Sequence, residues 1–292
     1  MREEIVKKLH EHIERRNKQF VEEVREGQQD EQVEKKRNMH KERGAEIVKV
    51  SVEGDIVRSS SLDHQLFVDY CMRTEYLIQL KDELYIEEER ENRRAIFTNE
   101  ELVEDAFNHQ FELEREAVAD PTVTMHQRNM NSRPYNRREA VRYAERWWDD
   151  YNPGYRKFTD NCTNFISQCL RAGGASMTGH SNREKGWWYR TDKWSLSWAV
   201  AHSLRWYLSG AQNGLRGIEK ERASELEPGD LICYDFDGDG RWQHTTIVVA
   251  KDPNGEPLVN AQTANSRMRY WKYEDSTAWT PNIKYKFFQI VT

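Results

Sequence analysis

The sequence predicts an α+β fold in two parts, and three observations carry that prediction. The N-terminal residues repeat apolar positions at helical spacing, the next sixty alternate β-branched and aromatic residues with charges, and the half after Pro134 joins a helix-opening cysteine segment to a set of hairpin strands. A chain of 292 residues exceeds the size at which a single core is the simplest solution, so two domains are expected.

Taken in order, Ile5, Leu9, Ile13, Phe20 and Val24 fall on one stripe among Glu, Lys and Arg, which predicts one long helix from Arg2 to about Asn38. Past Gly44 the period shortens to two. The runs AEIVKVSVEGDIVR, QLFVDYCMRTEYLIQL, ELYIEEERENRRAIFT and ELVEDAF predict four strands of an antiparallel meander packed on that helix. One helix followed by about four long strands resembles, in element order, the cystatin or nuclear-transport-factor-like module. Residues 1–107 are therefore expected to form one domain that supplies no catalytic group, 108–134 a linker, and 135–292 a second domain.

Most of the tryptophans and the Gly-rich turns fall after Pro134. In DNCTNFISQCLRAGG, Asp160 or Asn161 is a natural N-cap, Phe165, Ile166, Cys169 and Leu170 repeat at helical spacing, and Gly173–Gly174 stop the helix. Cys162 thus falls in the first turn, where unpaired N–H groups and the helix dipole favour a thiolate and can form part of an oxyanion hole. Cys169, Cys71 and Cys233 read as packing residues. Downstream, LEPGDLICYDFDGDGRWQHTTIVVAKDPNGEPLVNAQT reads as a turn and three strands joined by two hairpins, with His244 opening the second strand. A thiol on a helix facing an imidazole held by a strand is the arrangement that Cys–His nucleophilic catalysis needs. His202, in the helix expected over WSLSWAVAHSLRWYL, reads as structural.

The segment DNCTNFISQCLRAGG, the WWYR at 187–190, PGDLI at 228–232, the DGDG turn at 237–240 and PLVNAQT at 257–263 together resemble the putative amidase domain family, from about Tyr135 to Thr292. That family is grouped with the NlpC-type and CHAP cysteine peptidases, so the resemblance implies a papain-like fold with its catalytic helix packed on an antiparallel sheet. It implies Cys162 as nucleophile, His244 as base, no cofactor, and peptidoglycan stem peptide or a related amide as substrate. Two departures stand out. Members commonly carry His where this chain has Gln262, and they usually join Asp directly to Cys, whereas Asn161 intervenes here.

For the residue that orients His244, a turn near Pro253–Asn254 sets His244 opposite Thr263 or its neighbour and puts Asn260 and Gln262 on one strand face. Asn260 is the expected orienting amide, because it has fewer rotors to freeze, with Gln262 beside it. Tyr155, on a loop opened by Pro153 and Gly154, is a candidate oxyanion donor. Trp187 and Trp188 are candidates for lining the substrate cleft. Asp235, Asp237 and Asp239, followed by Gly240, match the start of a calcium loop, but Thr246 stands where the closing Glu belongs, so a polar hairpin turn is expected.

The formal charge of −6 mixes both signs, with no basic stripe of the kind that nucleic acid requires. A charged N-terminus and the lack of a long apolar run predict a cytoplasmic protein without a membrane segment, with cell-wall or spore association by a non-classical route as the alternative. The expected activity is cysteine-dependent amide hydrolysis through a thioester. A silent binding module of the same fold and an acyltransferase are the alternatives.

Overall fold

The computed structural model describes residues 3–22, 30–108, 134–179 and 182–292. The chain forms two compact units: Met1–Arg115 together with Glu274–Thr277, and Glu116–Tyr273 together with Ala278–Thr292. Most of the expected linker, 109–133, lies outside the described residues. The segment Glu274–Thr277, expected in the second domain, groups with the first unit.

In the first unit, helices α1 (Glu3–Val21) and α2 (Glu31–Glu42) replace the single long helix expected. The signal overlooked is Asp30, whose carboxylate accepts the N–H groups of Gln32 and Val33 and so starts a new helix. Val24 falls outside the described residues. The four alternating runs form strands β1 (Ala45–Leu62), β2 (Gln65–Leu80), β3 (Glu83–Thr98) and β4 (Glu101–Phe107), antiparallel in chain order. At the tight turn between β3 and β4, Asn99 and Glu100 both take positive φ, 50° and 67°, as a two-residue hairpin requires. Ile5 and Leu9 pack on Val68, Tyr70, Met72, Ala95 and Phe97, and Phe20 and Val33 pack on Ala45, Ile47, Tyr76, Ile78 and Leu80.

Within this unit Lys36 is buried, and its ammonium contacts Glu87, Glu89 (2.9 Å) and Asp275 (3.1 Å). Burial pulls the Lys36 pKa down, but the three carboxylates outweigh it and hold the amine charged. The Asp275 pair gives the first unit its hold on Glu274–Thr277.

In the second unit, α3 (Arg137–Trp147), capped by the Asn136 side chain, buries Ala140 and Ala144 against α4 (Cys162–Ala172). Strands β5 (Tyr189–Arg190) and β6 (Lys193–Trp194) form a small hairpin. The helix expected around His202 is broken at Val200, whose extended backbone separates α5 (Leu196–Ala199) from α6 (Ala201–Gly210). The main sheet contains β7 (Arg216–Lys220), β8 (Leu231–Asp235), β9 (His244–Lys251), β10 (Pro257–Ala261), β11 (Asn265–Tyr270) and β12 (Lys284–Val291). Its order is β11-β10-β9-β8-β12-β7, antiparallel throughout. Helix α4 packs on β9 and is buried from Cys162 to Leu170, which makes it the centre of this unit's core. Among the described residues, no helix is long and apolar enough to cross a membrane.

Candidate active site

Helix α4 begins at Cys162 with Asn161 in the N-cap position, but the cap works differently from the expectation. The Asn161 side chain makes no capping bond to the helix. Its Oδ1 instead accepts the Phe158 N–H and the Asn164 amide, each at 2.9 Å. The orphan N–H groups of Asn161 and Cys162 both point at the hydroxyl of Thr263, at 2.9 and 3.1 Å. Thr263, in the β10–β11 turn, therefore caps the helix from another element. Asp160, offered with Asn161 as the cap, is exposed, and its charge works against ionisation of the Cys162 thiol.

Cys162 is 4% exposed and His244 7%. Burial raises the Cys162 pKa, while hydrogen bonding from Thr163 and from the Thr245 backbone works in the other direction. The thiol thus stands against the backbone of Thr245, the residue that follows His244 on β9. Burial, aided by the positive charge of Arg269, pushes the His244 pKa down to about 3. Both shifts favour the neutral forms, thiol and imidazole. His244 lies among the rings of Tyr234, Phe236 and Tyr273, and its Nε2 is 3.5 Å from the Tyr273 hydroxyl. That hydroxyl also lies 3.3 Å from Ser266 Oγ.

The two amides expected to orient His244 are committed elsewhere. Asn260 pairs with Ile247 across the β9–β10 ladder; its Nδ2 donates to Glu145 (2.8 Å), and its Oδ1 accepts the Met268 N–H (2.9 Å). Gln262 donates to the carbonyls of Trp147 and Asp150 and accepts from the Asn161 amide. It therefore braces the residue before the nucleophile. The β9–β10 ladder pairs Val259 with Val248 and Asn260 with Ile247, close to the register expected from the hairpin turn, but each amide answers to a partner from α3 or the loop after it.

Other candidates sit deeper than expected. Tyr155 packs on Tyr189 and Trp198. Burial raises its pKa to about 12, and Arg171, Tyr189 and Cys169 are its electrostatic neighbours. Trp187 is wholly buried, with its indole N–H on Ser167 Oγ at 2.9 Å, and Trp188 is likewise buried, donating to the carbonyls of Asn182 and Lys185. Both are core residues rather than cleft walls. Asp235 accepts the N–H groups of Gly238 (2.8 Å) and Gly240 (2.7 Å), Asp237 accepts from Gln243 (3.0 Å), and Asp239 accepts the Arg241 N–H (2.8 Å). These carboxylates build a turn instead of converging on a cation. Among the described residues the one group of three metal-capable side chains is Glu87, Glu89 and Asp275, and the Lys36 ammonium already occupies its centre.

Residues 134–288 match the family described as "Putative amidase domain". The chain belongs to this family. It is also 48% identical over 271 residues to the Uncharacterized protein YhbB of Bacillus subtilis (strain 168), a match covering 89% of this chain and 86% of that protein. A second relative from the same organism, the Uncharacterized protein YjcM, is 30% identical over 125 residues, 40% of this chain and 28% of that protein. No solved structure matches. Membership of an amidase-domain family agrees with the reading of the second half as a hydrolase. The residues that sequence reasoning missed are Thr263, Tyr273, Ser266 and Arg269. Only Thr263 left a trace, through the register that set it opposite His244.

Proposed function

We propose that the chain is a cysteine-dependent amide hydrolase of the papain-like NlpC and CHAP kind, acting on a peptide-like amide such as a cell-wall stem peptide through a thioester. The observation that carries this reading is the seating of Cys162, at the first turn of a helix, against the strand residue that follows His244. Neutral His244 accepts the thiol proton as sulfur attacks the carbonyl carbon. The carbonyl oxygen becomes an oxyanion, and the Cys162 N–H turns from the Thr263 hydroxyl to it. The imidazolium then gives its proton to the leaving amine as the C–N bond breaks. Water, deprotonated by His244, cleaves the thioester and restores the thiol. Because both groups begin neutral, proton transfer accompanies attack instead of preceding it.

On this reading residues 135–292 carry the chemistry and residues 1–107 form a separate cystatin-like module. One observation favours a second reading, a silent binding module of the same fold: burial drives both the thiol and the imidazole toward their neutral forms. The two are separated by incubating the full chain with small peptide amides and purified cell-wall fragments and weighing the products. A hydrolase adds water across an amide and a Cys162→Ala variant does not; a binding module leaves every substrate intact. An acyltransferase is recognised by amide products when an amine is added.

A further inference from the structure

Arg205, on α6 of the second unit, is 8% exposed, and its Nε and Nη1 are buried with no hydrogen-bond acceptor among the described residues. Its neighbours are aromatic. The Trp206 ring lies 3.9 Å from the guanidinium carbon, and the Trp242 ring lies 5.4 Å from it. Such ring faces recover only part of what burying a guanidinium costs, and buried charges in proteins are normally paired. Two buried donors left without an acceptor are a place where an anion can bind.

The position of Arg205 says which anion that is. One turn earlier on the same helix, His202 Nδ1 accepts the Trp242 N–H at 3.3 Å, so α6 holds the chain two residues before His244. The charge of Arg205 reaches the Cys233 thiol, which in turn faces the Thr245 hydroxyl at 3.9 Å and lies in electrostatic range of Cys162. The guanidinium thus lies against Trp242, two residues before His244 in the chain. Trp242 is nearly buried, whereas Trp206 is 55% exposed, so one of the two indoles is anchored and the other stands in solvent. A guanidinium flanked by indole rings meets a planar carboxylate with parallel N–H bonds in one plane.

We propose that Arg205 is the receptor for a carboxylate carried by the substrate near its scissile amide, and that the Trp206 indole covers the guanidinium until the carboxylate arrives. The proposal rests on the hydrolase reading for its substrate but not for its test. In the full chain, Cys162 is alkylated with iodoacetate or with iodoacetamide, reagents that differ in carrying a carboxylate or a neutral amide, and the adduct is mapped. The iodoacetate-to-iodoacetamide rate ratio at Cys162 is expected to fall at least five-fold in Arg205→Met and to stay within two-fold of the parent in Arg205→Lys; an equal ratio in Arg205→Met overturns the proposal. A second measurement needs no variant: tryptophan emission of the parent chain is titrated with N-acetylglutamate and with its neutral counterpart N-acetylglutaminamide at constant ionic strength. Saturation by the anion alone is expected, and a linear or identical response to both overturns the proposal. If Cys162 resists both alkylating reagents while N-acetylglutamate still saturates, the hydrolase reading fails and the carboxylate receptor stands.

Discussion

The hydroxyl of Thr263 accepts the backbone N–H of Cys162 at 3.1 Å, from a residue whose φ of 84° is one that β-branched side chains rarely adopt. A strained residue persists where its surroundings over-determine it, and here two helix N–H groups converge on one oxygen. Thr263→Ala removes the acceptor and is expected to cost about 1 kcal/mol, the usual worth of an N-cap. Thr263→Ser keeps the acceptor and should recover most of that loss. Urea unfolding of the three proteins decides, and equal stability of the Ala and Ser variants would show that the cap contributes nothing.

Acid should weaken the fold through His244. In the unfolded chain its imidazole titrates near 6.5, and in the fold near 3. Between those values the unfolded chain holds the extra proton, so stability falls as pH falls, by at most about 1.4 kcal/mol per pH unit from this group. The loss levels off below pH 3, where both states are protonated. Comparing urea midpoints at pH 7 and pH 4.5 for the parent and for His244→Asn isolates the contribution. The variant is expected to lose less, and parallel losses would mean that the imidazole titrates normally.

Tyr273, rather than Asn260, is expected to govern the imidazole, because its hydroxyl meets His244 Nε2 at 3.5 Å. Tyr273→Phe should shift the pH profile of Cys162 alkylation, since a merely structural tyrosine would change amplitude and not profile. Asn260→Ala should lower stability by about 1–3 kcal/mol, the penalty for stranding the Glu145 and Met268 partners, and leave the profile in place. Gln262→Ala should slow alkylation by loosening Asn161. A shifted profile in Asn260→Ala beside an unchanged one in Tyr273→Phe would restore Asn260 as the orienting residue.

Lys36 holds three carboxylates together in the first unit, so Lys36→Met is expected to destabilise the chain by about 3–5 kcal/mol at pH 7, the cost of stranding buried charge. Because burial already raises the Glu87 pKa, the carboxylates of the variant should protonate readily, and its deficit against the parent should shrink at pH 5. A deficit that does not change between pH 7 and pH 5 would contradict this account of the cluster.

Strand alternation made the meander legible, because its period of two survives whatever packs against it, and the four runs became β1 to β4. Helical spacing and the Gly173–Gly174 stop likewise gave α4, and hairpin spacing gave the start of β9 at His244. Strands β7, β11 and β12 were not legible; their exposed or irregular residues alternate weakly, and neighbouring strands hold them in place. Apolar spacing alone carries the first helix past Asp30, and only the capping carboxylate there marks the start of α2. Cys162 and His244, the residues proposed to carry the chemistry, are marked in the sequence by local chain position, one at a helix start and one at a strand start. Residues held by long-range pairing are not marked in this way: Asn260 answers to Glu145, Gln262 to Trp147 and Asp150, and Tyr273 to His244, and none of these separations leaves a periodic mark.

The most direct test of the account is a mass measurement of products formed by the full chain from peptide amides and cell-wall fragments, run beside Cys162→Ala. The account predicts products heavier in total than their substrate by one water, formed by the parent chain and absent with the variant, while the variant keeps the parent's circular dichroism spectrum. Hydrolysis that proceeds equally in Cys162→Ala would contradict it.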